Sequence, residues 1–234
     1  MKSFCKVMPA VLLAIAGLAA APCIAKADSY VFSFSGGGLS GSGVFTTSNT
    51  PVTGVAGAHQ ITGINGTFTD AIAGFTGAIT GIQPISLPSN INADGTFAPP
   101  GTAADGFGFS WDNLFYPGAN SPAVCPPPAP GDPHAAYPFG GGYFDIYGML
   151  FNVQGGYSVD LWSNGVIPGF GLTYGVGDSL HGTVLHTYGE PFSGTSATVS
   201  IAATPEPESL LLIGTSVPGL LLLWKRRSRL LPVS

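Results

Sequence analysis

Between residues 28 and 203 the chain carries ten carboxylates, Asp28, Asp70, Asp94, Asp105, Asp112, Asp132, Asp145, Asp160, Asp178 and Glu190, together with its four histidines. Carboxylates and imidazoles are the raw material of acid–base and metal chemistry, so their spacing is the first thing to read. It makes no motif. His181 and His186 are five apart, which on a strand sends them to opposite faces and argues against a shared metal. The carboxylates do not fall into an Asp-x-Asp-x-Asp-Gly calcium loop, although Asp105, Asp112 and the Asn113 carbonyl could meet around Ca²⁺ after a turn. Gly38-Leu39-Ser40-Gly41-Ser42 fails as a nucleophile elbow at its last position, and no helix pattern follows it. Cys125 sits before Pro126-Pro127-Pro128 with no cation near to lower its pKa; it is read as a free thiol or an intermolecular bridge. Trp111, Tyr116, Trp162 and Tyr174 are candidate sugar-stacking rings, with Trp111 and Trp162 foremost, or else core aromatics. No catalytic residue, no metal site and no cofactor is expected, and the chain reads as a protein that is not an enzyme.

All seven lysines and arginines, Lys2, Lys6, Lys26, Lys225, Arg226, Arg227 and Arg229, lie outside this stretch. Its side chains therefore carry −10 where the whole chain carries −5. A surface without cations repels phosphates, which excludes nucleic acid as a partner. Crowding of ten like charges is also expected to raise their average pKa on folding.

The elements that must position these groups read almost wholly as strands. Helix formers are scarce, while Gly, Thr, Val, Ile, Phe and Tyr dominate. Period-two alternation is clear in Tyr30 to Ser35 and in Tyr157 to Trp162. Further strands are expected at Val44–Thr47, His59–Thr69, Phe75–Ile82, Phe107–Leu114, Tyr143–Val153, Phe170–Val176, Gly182–Tyr188 and Ala197–Ala202. Ile-Thr-Gly-Ile occurs at Ile61–Ile64 and again at Ile79–Ile82, which suggests two arms of one hairpin. The proline-rich Ser121–Pro138 stretch cannot be a central strand and is expected as a surface loop. About ten strands in one all-β domain, an antiparallel β-sandwich or jelly-roll-like pair of sheets, is the expected architecture.

Both chain ends read as targeting segments. Lys2 and Lys6 precede an apolar run from Val7 to Ala21, and Ala25-Lys26-Ala27 offers a signal-peptidase site, so residues 1–27 are a signal peptide and the outer domain covers 28–203. Pro22 before Cys23 disfavours lipidation of that cysteine. Residues 204–229 hold Pro205-Glu206-Pro207, an apolar stretch from Ser209 to Trp224 and the basic cluster Lys225, Arg226, Arg227 and Arg229; residues 230–234 extend beyond it. Sixteen helical residues would span about 24 Å, a short transmembrane helix whose basic end stays cytoplasmic.

This arrangement resembles the tripartite tail of PEP-CTERM proteins of Gram-negative bacteria. The resemblance implies export, transient anchoring in the inner membrane, and processing by signal peptidase and then exosortase in a cell that makes extracellular polysaccharide. The expected role is that of a cell-surface or matrix protein with a structural or interaction function, or alternatively a carbohydrate-binding module.

Overall fold

The computed structural model describes residues 28–85, 108–124 and 139–204. Ala25, Ala27, the Pro205-Glu206-Pro207 motif, the basic cluster, Cys125, Asp94, Asp105 and Asp132 lie outside the described residues. Among those described, no helix is long and apolar enough to cross a membrane.

Ten antiparallel strands form the domain: β1 (Ser29–Gly36), β2 (Leu39–Pro51), β3 (His59–Asp70), β4 (Phe75–Ile82), β5 (Leu114–Phe115), β6 (Met149–Val153), β7 (Tyr157–Ile167), β8 (Gly171–Leu180), β9 (Thr183–Tyr188) and β10 (Thr198–Ala203). The expected all-β class is what the chain adopts. The expected two sheets are instead one, in the order β10-β1-β2-β3-β4-β6-β7-β8-β9, with β5 on the free stretch of β3. Its two edges curl toward each other. The Ala197 amide donates to the Tyr174 carbonyl of β8 at 2.8 Å just before β10 begins, and the Tyr188 ring of β9 lies against Gly36 and Gly37 at the end of β1. A Cβ on Gly36 would come within 2.6 Å of that ring, so the closure needs glycine there.

Curling makes the alternating apolar residues meet in the middle. Phe32 and Phe34 of β1 face Phe151 of β6, with ring centroids 6.5 and 6.2 Å apart, and Phe45, Phe68, Val159, Leu161 and Val176 fill the same interior. Burying each such side chain contributes about 1.5–3 kcal/mol. The β3–β4 hairpin has Asp70 opposite Phe75, with residues 71–74 as its turn, so the two Ile-Thr-Gly-Ile strings do lie on its arms.

Strands β6, β7 and β8 are covered on both faces. Residues 108–124 and 139–148 pack on their outer side, where Gly175 and Gly177 leave room for the Trp162 and Phe109 rings. This covering layer explains why two expected strands are shorter than read. Asn113 adopts a left-handed φ of 55°, which ends extended structure before Leu114. Asp145 Oδ1 accepts the Tyr147 and Gly148 amides at 3.0 and 3.4 Å, a turn that delays β6 until Met149.

Candidate functional site

Acidic and imidazole groups converge in two places. The first is the end of the curled sheet where the β3–β4 and β8–β9 hairpins meet. Asp178 lies opposite Val159 on β7, which points it inward, and opposite His186 on β9. His186 reaches that position through a bulge between Asp178 and Ser179, because Leu180 pairs with Thr183 and Ser179 with Val184 before the register shifts by one. Asp70, the last residue of β3, follows the inward Phe68 by two and so points the same way.

One oxygen, one oxygen and one nitrogen of these three residues lie within 4.8 Å of one another. His186 Nδ1 is 3.1 Å from Asp178 Oδ1 and 3.6 Å from Asp70 Oδ2. The His186 amide also donates to Asp178 Oδ1, and Asp70 Oδ1 accepts the Ile72 and Ala73 amides of its own turn. The remaining oxygen of each aspartate, Oδ2 in both, is buried and accepts no hydrogen bond. Both aspartates are 0% exposed, whereas the His186 side chain keeps 27% of its surface and opens the cluster to solvent. Burial, and then the Asp70 carboxylate, push Asp178 above the ordinary carboxylate range, and His186 offsets part of that.

The second place lies beneath the covering layer, where Asp112, Asp145 and Asp160 are all buried. Asp112 Oδ1 accepts the Leu114 amide at 3.0 Å, and Tyr116 Oη donates to Asp145 Oδ2 at 3.2 Å. Burial first, then the charge of Asp145, raise Asp112 well above its ordinary value. Burial also raises Asp145, and Asp112 together with the donated amides restrains part of that rise. Burial also raises Asp160 well above the usual range, with Asp145 and Glu190 adding to it. Closed to solvent, all three acids are pushed toward their neutral form.

Asn113 ties this layer down. Its Nδ2 donates to the Gln83 carbonyl at 2.7 Å and its Oδ1 accepts the Leu150 amide at 2.9 Å. Its carbonyl accepts the Ile61 amide and Gln60 Nε2. The sugar-stacking reading is corrected. Trp111 and Trp162 are 2% and 6% exposed, and Tyr116 and Tyr174 are buried as well, so none of the four presents a ring face to a sugar. Trp162 Nε1 instead donates to Asn164 Oδ1 at 2.9 Å, and Asn164 Nδ2 donates to the Gly189 carbonyl at 2.7 Å.

His181 lies in the turn between β8 and β9 and packs on Gly156. What the spacing did not reveal is the pairing of His186 with Asp178. A two-residue turn at His181-Gly182 places Leu185 opposite Asp178, and only the bulge brings His186 there. A cleft of about 310 Å³, lined by Asn152, Tyr157, Ser158 and His181 among others, opens near this end of the sheet and has no carboxylate in its wall. Compared with family models, with curated proteins and with solved structures, the chain matches none.

Proposed function

We propose that the chain is an exported protein of a Gram-negative cell envelope, sorted by exosortase, whose outer domain has a structural or interaction role at the surface or in the extracellular polysaccharide matrix. The observation that carries this reading is the closure of residues 28–204 on themselves. β1 pairs with β10 from Tyr30 opposite Ala203 through Ser35 opposite Thr198, and the Thr204 amide and hydroxyl both donate to the Ser29 carbonyl. The fold's first and last residues thus lie side by side, next to the two segments read as signal and sorting tail. A domain free of lysine and arginine, with Asp70, Asp112, Asp145, Asp160 and Asp178 buried and both of its tryptophans in the interior, supports a scaffold rather than a catalyst.

Intact-mass measurement of protein released from the surface of the native host tests the reading. A mature chain that starts at Asp28 and has lost Arg229 is expected, with Pro205-Glu206-Pro207 replaced by alanines leaving the protein in the inner membrane. Recovery of surface protein with the whole basic tail attached would overturn the sorting assignment.

A further inference from the structure

We infer that Asp70, Asp178 and His186 form a binding site for one divalent transition-metal ion of the zinc class, and that the ion clamps the β3–β4 hairpin to the β8–β9 hairpin. Both Oδ2 atoms are buried and neither accepts a hydrogen bond, on aspartates with no exposed surface. Two carboxylates packed together without a lysine or arginine in the domain call for a positive charge, and one histidine proton cannot satisfy both.

The separations suit an ion. Zinc bonds of about 2.0–2.2 Å set tetrahedral ligand atoms about 3.4 Å apart. The distances from His186 Nδ1 to Asp178 Oδ1, 3.1 Å, and to the unpartnered Asp70 Oδ2, 3.6 Å, bracket that value. One nitrogen with two carboxylate oxygens selects a transition ion over Ca²⁺ or Mg²⁺, which prefer all-oxygen shells. The 27% exposure of His186 gives the ion a way in and leaves its fourth position to water.

The site is also placed to matter for stability. Asp70 Oδ1 fixes the 71–74 turn through the Ile72 and Ala73 amides, and the hydrogen bond from the His186 amide to Asp178 Oδ1 spans the register shift of the other hairpin. An ion joining Oδ2 of Asp70 to Asp178 and His186 would close a loop of more than a hundred residues, a cross-link in a domain whose only cysteine is Cys125.

The test uses the full chain purified without an affinity tag, stripped of metal and titrated with Zn²⁺ alone, with calorimetry and thermal melts as readouts. One equivalent should bind, and saturation should raise the melting temperature by about 5–10 °C. Ca²⁺ at matched ionic strength should give less than a fifth of that rise. Asp178→Asn and His186→Gln should each lose tenfold or more in zinc affinity, while His181→Gln and Cys125→Ser keep it. Asp178→Asn removes one of two facing carboxylates, so its metal-free melting temperature should equal or exceed that of the wild type, which separates lost binding from lost folding. The absence of a one-equivalent zinc site in the wild type would overturn the inference. Undiminished binding in Asp178→Asn, or a Ca²⁺ effect as large as that of Zn²⁺, would do the same.

Discussion

A flat ten-stranded sheet would hold β1 and β6 four strand spacings apart, about 19 Å at roughly 4.8 Å each. In the curled sheet their rings touch: Phe32 and Phe151 have centroids 6.5 Å apart at an interplanar angle of 61°. Phe32→Leu and Phe151→Leu each remove a fully buried ring and are expected to cost about 0.5–3 kcal/mol, as core substitutions usually do. Edge-to-face aromatic pairs add about 0.5–1.5 kcal/mol beyond their buried area. The double variant should therefore lose less than the two single losses together, by about that amount. Urea unfolding of the four proteins, with the midpoint and slope fitted for each, gives the coupling directly. Phe32→Leu combined with Val166→Ala, a change at an exposed hairpin position, should be additive within about 0.5 kcal/mol. If each single variant is destabilised but the Phe32–Phe151 coupling stays below about 0.3 kcal/mol, the two rings are not in contact and the sheet is not curled as described.

The buried acids set the pH dependence. Asp112, Asp145 and Asp160 have folded pKa values raised above those of the unfolded chain, so their contribution is fully present below about pH 4 and is lost as pH rises through the folded values. Melting temperature should fall from pH 4 to pH 8, and Asp112→Asn, which removes one of the raised carboxyls, should flatten that fall. A melting temperature that climbs across the same range would refute the raised pKa values of the buried acids. Gly175→Ala should destabilise by about 1–3 kcal/mol in the same urea assay, because its new Cβ would stand 2.1 Å from the Trp162 ring. An unchanged midpoint there would mean that the Trp162 indole does not lie over β8.

The strands were legible because one face of most of them is apolar and the other polar. Phe75–Ile82 has the bounds read from its alternation, and Tyr30–Ser35 lies inside β1 with Phe32 and Phe34 buried as its period requires. The arrangement of those strands was less legible, since local periodicity does not say which distant edges pair. β10 joins β1 and β4 joins β6, and these pairings make one curled sheet of what read as two. The site was hidden for related reasons. Asp160 alternates with the inward Val159 and Leu161 and so lies on the other face of β7, yet the covering layer buries it. Charge crowding was expected to raise the acids' pKa values, and the direction holds, but desolvation is the larger cause because the acids concerned are inside. Asp178 and His186 meet only through a one-residue bulge, and nothing in hairpin periodicity announces a bulge.

The pairing of β1 with β10 carries a consequence for the order of events during synthesis. The hydrogen bond between Thr204 and Ser29 joins residues 175 apart in sequence, so the outer edge of β1 has no partner until nearly the entire domain has left the ribosome. During that interval β1 displays an unpaired edge beside Tyr30, Phe32 and Phe34, an apolar template on which a second unfinished chain could add a strand. The last strand to emerge is the one that seals the first. A domain made from its N-terminus onward reaches safety from self-association only in its last strand, and variants that weaken β10 should show their defect as lost yield before they show it as lost stability.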